Sequence, residues 1–548
     1  MKDSKICKLS VVFLILFTFS QNSYSQLSGS YTIGTGGNYS TITSAVNALS
    51  LQGISEDVIF NIKTGSYTES VTINLISGAS ANHTVTFKSQ TGNADDVNWF
   101  PSSSSDHTLK INGASFLRIQ NISFRGSNSS NDKSRIYFQG NNNDIKISDN
   151  NFLGGRAKDN GLFSSEALMG NLVIEGNRFE VKNGIIFKEL NLISTGTKIS
   201  DNIVNCVYGI VIYRHNNLII EKNNFNCSSV TGGFPSPACI RVLVCNGNLK
   251  ILANKLIATS ITEAEDGIVV GYYSGNNALI ANNFISLNTG TGMWFDASHN
   301  LNIYFNTVVT ASVNSGDITF VQCYGENKSR NNLMINLANE GTRSLTYFIY
   351  ESVVPNSDYN LFLYHNPIMA FLTPDYITDL AELRAVAGCD LHSIEWQVNF
   401  VSGTDFHLAG SSIGDPNLKG IPMNEITTDI DGQPRSASRP YMGADEADIP
   451  LPVINGSSNI PEQFSLSQNY PNPFNPATNI TYQLPVSGNV VLKIFNVLGK
   501  EVETLVDTRQ EAGYYSVNFN ASNFSSGIYF YKLNVDNFVD TKKMSLIK

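Results

Sequence analysis

The chain has 548 residues, a formal net charge of −10 and seven cysteines. A chain of this length accommodates roughly two to four domains. The acidic balance argues against a nucleic-acid partner, because a phosphate backbone is bound by lysine and arginine side chains. Neither the cysteines nor the seven histidines show metal-ligand spacing, so nothing in the composition predicts a zinc site.

The chain begins with the features of a secretory signal peptide. Lys2, Lys5 and Lys8 precede an apolar run, Leu9–Phe19, that is too short to span a bilayer. Small residues follow this run and predict cleavage after Ser25. We therefore expect a signal peptide over residues 1–25, export through the periplasm, and no transmembrane anchor in the mature protein.

The central part of the chain repeats one phrase, in which an apolar residue precedes an asparagine by three positions and another follows it by two. Copies lie 21 to 31 residues apart. A repeat with such a period has to be identified before any other feature of the fold is assigned, because it determines the architecture. The aligned asparagines are Asn150, Asn177, Asn202, Asn223, Asn254, Asn282 and Asn306, with a weaker copy at Asn332. Between the copies runs a second phrase led by glycine, as in "NGIIF", "YGIVI", "DGIVV" and "TGMWF".

Both phrases alternate in a way that is typical of short β-strands. Short strands at a period near 26 residues indicate a solenoid in which each repeat forms one coil. Asparagine tolerates the left-handed backbone conformation, so we expect each aligned asparagine to be a sharp corner. Stacking of the coils would let the asparagine side chains bond to one another. The predicted fold class is all-β.

These repeats resemble the right-handed parallel β-helix family, the pectate-lyase-like superfold, over residues 31 to about 447. The segment "YTIGTGGNYSTITSAVNAL" is similar to the family's N-terminal cap, at about 31–60. Residues 355–447 resemble a terminal segment of bacterial members, with "SDYNLF", a short helix in "ITDLAELRAVAG", "TDFHL" and "DIDGQPRSASRPYMGADE". We assign residues 26–447 to this domain.

A second domain follows a linker at 448–463 that contains proline and serine. Segments such as "VVLKIFNVLGKEVETL" and "SSGIYFYKL" alternate between glycine and proline turns and predict a small antiparallel β-sandwich over 464–548. This domain closely resembles the type A C-terminal sorting domain of the type IX secretion system, in "YPNPFNP", "NVLGKEV" and the closing "KKMSLIK". The resemblance implies that residues 464–548 engage the type IX machinery and that the protein reaches the cell surface or the medium.

The glycine-led strands offer a candidate binding face. Alternation places Ile210, Ile268 and Phe295 inward and leaves aromatic and charged side chains outside. Aromatic rings beside polar groups suit a polysaccharide, because sugar-ring faces stack while hydroxyls form hydrogen bonds. The candidate glycan-binding residues are Tyr213, Arg214, Tyr272, Tyr273, Trp294 and His299. We predict a secreted or surface protein that binds extracellular polysaccharide.

An alternative hypothesis is a calcium-assisted uronate lyase, which needs a base and a cation that neutralises the substrate carboxylate. Calcium would also be needed because the negative chain repels a polyuronate. The sequence lacks the Gly-His-Gly of polygalacturonases and the later motifs of pectin methylesterases, although "TGSYTESVTI" is similar to an esterase opening. The candidate bases are Arg241, Lys188 and His215, and the candidate calcium ligands are Glu265, Asp266 and Asp296. No other cofactor is expected.

Six cysteines remain after signal cleavage, and we expect most of them to be free because a large core does not need disulfides. Cys206 and Cys227 each lie two residues after an inward position, which predicts that they stack inside the core. Cys239 and Cys245 are predicted to face outward.

Overall fold

The computed structural model describes residues 25–126, 134–154, 159–189, 191–227, 237–258, 266–312, 316–338, 345–365, 368–447, 461, 463–469, 472–521 and 524–547. The predicted signal peptide, apart from Ser25, and most of the predicted linker lie outside these residues. The chain divides into two compact units, Met1–Glu446 and Ala447–Lys548. No helix in the described part of the chain is long and apolar enough to span a membrane.

The first unit is a parallel β-helix, which confirms the predicted solenoid. One coil consists of a glycine-led strand such as Tyr208–Tyr213, a turn, a strand before the asparagine such as Ile219–Glu221, and a strand after it such as Asn224–Cys227. Each strand pairs in parallel with the equivalent strand of the next coil, so three sheets run along the unit. We call them the glycine-led, pre-corner and post-corner sheets.

The bounds of the strands follow the repeat, and one long strand, Ser134–Ser148, belongs to two sheets. The glycine-led sheet contains Val71–Ile73, His107–Asn112, the first part of Ser134–Ser148, Asn160–Gly170, Asn183–Lys188, Tyr208–Tyr213, Ala238–Leu243, Asp266–Gly271, Met293–Asp296, Ile318–Val321, Tyr347–Tyr350, Ala370–Leu372 and the antiparallel Asp375–Ile377. The pre-corner sheet contains Leu27–Ile33, Ile54–Ile62, Val85–Ser89, Ser115–Gln120, the last part of Ser134–Ser148, Val173–Glu175, Lys198–Ser200, Ile219–Glu221, Asn248–Leu252, Asn277–Ala281, Leu301–Tyr304, Lys328–Arg330 and Asn356–Asp358. The post-corner sheet contains Gly65–Thr68, Val97–Phe100, Ser123–Arg125, Asn151–Leu153, Arg178–Glu180, Ile203–Val204, Asn224–Cys227, Lys255–Ala258, Phe284–Leu287, Thr307–Thr310, Leu333–Asn336, Leu361–Tyr364 and Ile394–Glu395. Two short strands, Ser194–Thr195 and His215–Asn216, lie in the turns between the first two sheets.

A column of buried asparagines joins the coils at the corner between the pre-corner and post-corner sheets. Asn202 shows the pattern: its Oδ1 accepts hydrogen bonds from the backbone N and the Nδ2 of Asn177, at 2.9 and 3.0 Å. Its own Nδ2 donates to the carbonyl oxygen of Ile174 at 3.0 Å, so one amide satisfies backbone groups of the coil before it. The column consists of Asn150, Asn177, Asn202, Asn223, Asn254, Asn283, Asn306, Asn332 and Asn360.

The prediction that the column asparagine itself adopts the left-handed conformation was wrong. The positive φ belongs to the residue just before it, for example 58° at Asp201, 56° at Lys222 and 53° at Ala253. The backbone therefore turns one residue earlier than expected, and the asparagine that follows points inward from the corner. Asn, Asp and Gly are frequent at this position because they tolerate a positive φ at low cost.

The prediction that Asn282 belongs to the column was also wrong, by one residue. Asn283 holds the place in the column, whereas Asn282 has φ 57° and its side chain faces outward. A slip of one residue exchanges the two faces of a strand. Accordingly Ile280 and Ile285 fill the core in place of the predicted Leu279 and Phe284.

The inside of the coil is filled by the apolar residues of the repeat. Phe124, Phe152 and Phe179 occupy one position in successive coils and stack with ring centroids 5.3 and 4.7 Å apart. One end of this core is covered by the helix Ile42–Gln52, which begins with a capping box between Thr41 and Ser44. The predicted N-terminal cap is therefore a strand followed by an amphipathic helix.

Residues 400–446, which we call the terminal strap, fold back onto the outside of the post-corner sheet. They follow the helix Leu380–Ala387 and contain the hairpin Phe400–Ser402 and Asp405–Leu408, with short 3₁₀ turns at Gly410–Ser412 and Pro416–Leu418. The side chain of Asn282 binds the strap through two hydrogen bonds. Its Oδ1 accepts one from the guanidinium of Arg435 at 2.8 Å, and its Nδ2 donates one to the carbonyl oxygen of Thr428 at 2.7 Å. Asn331 exchanges two hydrogen bonds with the backbone of Ile421.

The second unit is a small antiparallel β-sandwich, as predicted. Its core contains Ile480, Leu492, Tyr531 and Met544 from both sheets. One sheet contains Ser465–Leu466, Ala477–Leu484 and Gly513–Asn520, and the other contains Glu501–Gln510, Gly488–Asn496, Gly527–Val535 and Phe538–Leu546.

Candidate functional site

The outer face of the glycine-led sheet carries Trp294 at its centre. Strand register places Arg241, Val269 and Trp294 in one outward column, and it continues through Thr319 and Phe348. The indole of Trp294 is 38% exposed, whereas Val269 and Thr319 on either side of it are buried. Trp294 is therefore a ring that stands out from an otherwise covered column, beside the half-buried Asp296 two residues further along the same strand.

Arg241 does not offer a free base on this face. Its guanidinium lies 3.5 Å from the carboxylate of Asp266, and the two side chains are only 12% and 9% exposed. Burial raises the pKa of Asp266 to about 6 although the charge of Arg241 opposes that shift. A guanidinium does not lose its proton in a protein, and this one is engaged with a carboxylate. Arg241 is therefore held in a buried ion pair and is not available as a base.

His215 and Tyr273 were predicted to face outward, and both predictions were wrong. Each side chain is fully buried in the column that lines the turn between the glycine-led and pre-corner sheets. Burial lowers the pKa of His215 to about 4, and its Nδ1 lies 3.0 Å from the carbonyl of Tyr213. His215 is thus a neutral core residue. The hydroxyl of Tyr273 donates to the carbonyl of Gly247 at 2.6 Å.

The remaining candidates are spread over several coils. Lys188 is exposed, but its register position is four coils from Asp296, roughly 19 Å at about 4.8 Å per coil. Tyr213 and Arg214 are half-buried and lie one coil beyond Lys188. Arg241 thus lies beside the candidate acidic residue Asp266, but Lys188 and the buried His215 do not join them at one site.

An exposed aromatic side chain occurs in each of four successive coils, and sequence reasoning found only two of them. Tyr272 is 57% exposed, Trp294 38%, Tyr324 49% and Tyr350 39%. We call these four residues the aromatic stripe. Tyr350 is the last residue of its glycine-led strand, Trp294 lies within its strand, and Tyr272 and Tyr324 lie in the turns that follow theirs. His299 stacks on Tyr324 with ring centroids 6.2 Å apart. The recurrence of an aromatic within a few residues of each strand end was the signal that could have revealed Tyr324 and Tyr350.

The two predicted calcium ligands that the structure describes, Asp266 and Asp296, do not lie together. Glu265 lies outside the described residues. Asp266 begins its strand, and Asp296 ends the next one, five register positions away, or roughly 17 Å along the strand direction. Burial raises the pKa of Asp296, but Asp266, the other described carboxylate of the predicted set, does not reach it.

A different group of histidine and carboxylates lies between the strap and the coil. The ligand-type atoms of His407, Asp431 and Asp445 lie within 4.8 Å of one another, and Asp405 bonds to the second ring nitrogen of His407. Burial disfavours the charged imidazole, but the bonds to Asp405 and Asp431 outweigh it and raise the pKa of His407 to about 10. The imidazolium thus supplies a positive charge to this group. Its residues come from "TDFHL", "DIDG" and "GADE" of the terminal segment.

The structure has six free cysteines among the described residues. Cys206 and Cys227 are buried, in agreement with the prediction. Cys239 and Cys245 are buried as well, so their predicted outward orientation was wrong. Burial raises the pKa of the Cys245 thiol to about 12, which makes it unreactive at neutral pH.

The fold and the stripe define a parallel β-helix protein with an aromatic outer face. Residues 468–548 match the family of secretion system C-terminal sorting domains. The chain is thus a parallel β-helix protein with a C-terminal type IX sorting domain, and this tail implies export to the cell surface or the extracellular space.

Comparison with curated proteins gives no match. Two solved structures are similar in part. One is Escherichia coli YbhC, with 11% identity, a TM-score of 0.24, and coverage of 65% of this chain and 76% of that chain. The other is a pectin methylesterase from Aspergillus niger, with 12% identity, a TM-score of 0.21, and coverage of 70% and 96%. At these values neither structure transfers an activity to this chain.

Proposed function

We propose that the protein binds an extracellular polysaccharide along the aromatic stripe of the β-helix. The observation that carries this proposal is the recurrence of one exposed aromatic ring in each of four successive coils, Tyr272, Trp294, Tyr324 and Tyr350. Three coil spacings separate the first ring from the last, roughly 14 Å, so the stripe can contact several consecutive sugar units. Export by the type IX sorting tail supports an extracellular ligand.

The chemistry of the stripe favours sugars over other extracellular polymers. Aromatic faces pack against the C–H faces of pyranose rings, and hydrogen bonds from neighbouring polar groups fix the orientation. Asp296 and Glu351 lie beside the stripe, and the amide of Gln322 donates to Glu351 at 3.1 Å. The carboxylates of Asp296 and Glu351 accept hydrogen bonds from sugar hydroxyls, but they repel the carboxylates of a uronate. The stripe is therefore better suited to a neutral chain than to a polyuronate.

The alternative, a calcium-assisted lyase, has less support from the described residues. Arg241 is paired with Asp266, His215 is buried, and the candidate acidic residues are far apart. The two functions are separated by one assay in which the purified mature protein is incubated with acidic and neutral glycans. Binding without the ultraviolet absorbance of an unsaturated product supports the binding protein, and a rise in that absorbance supports the lyase.

The stripe is tested by the variant Trp294→Ala in the same glycan panel. We expect roughly five- to thirtyfold weaker binding of the preferred glycan, because a stacked ring contributes on the order of 1–2 kcal/mol. Ile203→Ala is the control, since Ile203 is an exposed apolar residue on the post-corner sheet, four coils away from Trp294. The proposal is wrong if no glycan binds, or if Trp294→Ala and Ile203→Ala bind as tightly as the natural protein.

A further inference from the structure

A polar cleft of about 370 Å³ opens between two successive turns beside the aromatic stripe. Its volume lies within the range of small-ligand sites. Tyr272 of the stripe lies two residues before the cleft in the same turn. The lining residues are Asn246, Gly247, Asn248, Ser274, Gly275 and Asn276.

The cleft arises from unequal turn lengths. Buried Cys245 and Tyr273 occupy equivalent places in their coils, and Asn248 pairs in register with Asn277. The later turn therefore has one more residue, and it projects beyond its neighbour. The later turn requires glycine at position 275, because a Cβ there would lie 2.4 Å from the hydroxyl oxygen of Tyr273 and 2.7 Å from the carbonyl oxygen of Gly247.

The lining consists of amides, a hydroxyl and backbone groups, and it contains no charged side chain. The Oδ1 of Asn246 accepts from the backbone N and the Oγ of Ser274, which fixes that amide in place. Asn248 and Asn276 are exposed, and within the described residues their side-chain amides make no protein hydrogen bond. Each amide can both donate to and accept from a ligand hydroxyl.

We infer that this cleft binds one uncharged sugar unit of the polysaccharide, which makes the protein selective for neutral glycans over polyuronates. This inference rests on the proposed function. A uronate carboxylate placed here would lose its hydration without gaining an ion pair. The nearest charged residue on the adjoining strand, Lys250, lies two residues beyond Asn248 and outside the lining.

The inference is tested with the double variant Asn248→Ala/Asn276→Ala, which removes two exposed amides and leaves the backbone contacts of the turn in place. Binding of matched neutral and uronate oligosaccharides is measured by titration calorimetry on the mature protein. We expect the natural protein to prefer the neutral series by at least about tenfold, and the double variant to bind that series about tenfold more weakly. The matched control is Asn224→Ala/Asn226→Ala, two exposed asparagines of the post-corner sheet.

The outcomes separate this inference from the proposed function. If Trp294→Ala weakens binding but the asparagine double variant does not, the stripe stands and the cleft has no role. Preferential binding of uronates, dependent on Lys250, would also overturn the inference. If no glycan of either series binds the natural protein, both proposals fail. Equal losses in Asn248→Ala/Asn276→Ala and Asn224→Ala/Asn226→Ala would indicate a general effect and count against the cleft.

Discussion

At the scale of single residues, the asparagine column is the device that holds the coils in register. The side chain of Asn202 forms hydrogen bonds with buried backbone groups of the preceding coil, which water does not reach. Asn223 does the same for the coil of Asn202. Each side chain makes several hydrogen bonds away from solvent, where an unmade bond is costly. The column is therefore more sensitive to substitution than an exposed asparagine of the same strands.

The variant Asn202→Ala should lower the free energy of unfolding by about 3 kcal/mol or more, because it removes the side-chain acceptor of the buried N–H of Asn177 and a side-chain donor to the buried carbonyl of Ile174. Chemical denaturation of the mature protein measures this loss. Asn224→Ala, at an exposed position beside the next column residue, Asn223, should change the value by less than about 0.5 kcal/mol. Equal effects of the two variants would contradict the role of the column.

Residue-level errors in the sequence interpretation have one physical origin. Period and alternation located the strands and the inward residues, because these depend only on neighbouring positions. Alternation fails after a left-handed residue, which reverses the face that the next side chain takes. Arg214 and Tyr272 have φ of 57° and 55°, so His215 and Tyr273 turn into the core instead of outward. No pattern in the sequence marks which residue of a turn takes the positive φ when that residue is arginine or tyrosine.

At the scale of elements, the terminal strap shows how one outer surface of the coil is covered. Two asparagine doublets mark the coils that it crosses: the first member, Asn282 or Asn331, holds the strap, and the second, Asn283 or Asn332, belongs to the buried column. The sequence identified the strap as a terminal segment, but it gave no sign of where the segment docks. That location depends on contacts between residues far apart in the sequence, 90 positions for Ile421 with Asn331 and 153 for Arg435 with Asn282.

His407 should make the strap sensitive to alkaline pH. Its pKa in the folded protein, about 10, is above the ordinary value of 6.5, so its stabilising effect is complete below 6.5 and is lost as the pH rises through about 10. Asp405, Asp431 and Lys255 also face this group. Asp445, whose pKa burial raises to about 6, is already ionised over most of this range and does not reverse the trend.

The variant His407→Gln should therefore lose on the order of 3 kcal/mol at pH 7 and little at pH 10 or above. Thermal unfolding of both proteins between pH 6 and 10.5 measures the difference. The control is His392→Gln, because His392 is largely exposed beside Asp358. Parallel pH profiles for the natural protein and His407→Gln would show that the imidazolium does not stabilise the strap.

At the scale of the whole molecule, the sorting tail and the β-helix have separate cores. The clusters around Phe152 and around Leu492 share no residue, and each unit is compact by itself. Removal of residues 464–548 should leave the β-helix folded and should retain it in the periplasm, because the domain that matches the sorting family is gone. Fractionation of expressing cells, with a folded periplasmic protein as marker, checks this outcome. Undiminished delivery of the truncated chain to the medium would mean that export does not depend on the tail.

The closed ends of the β-helix have a consequence for its behaviour at high concentration. A bare terminal coil would display a row of N–H and C=O groups at the spacing that builds amyloid fibres, and it would recruit further chains end to end. The helix Ile42–Gln52 seals one end with Ile42, Ala45, Val46 and Leu49. At the other end, the antiparallel pairing of Ala370–Leu372 with Asp375–Ile377 is followed by a helix that buries Leu380 and Leu383. These lids block fibre growth along the axis, and they let a chain with 54% of its residues in strands accumulate outside the cell, beyond the reach of cytoplasmic chaperones.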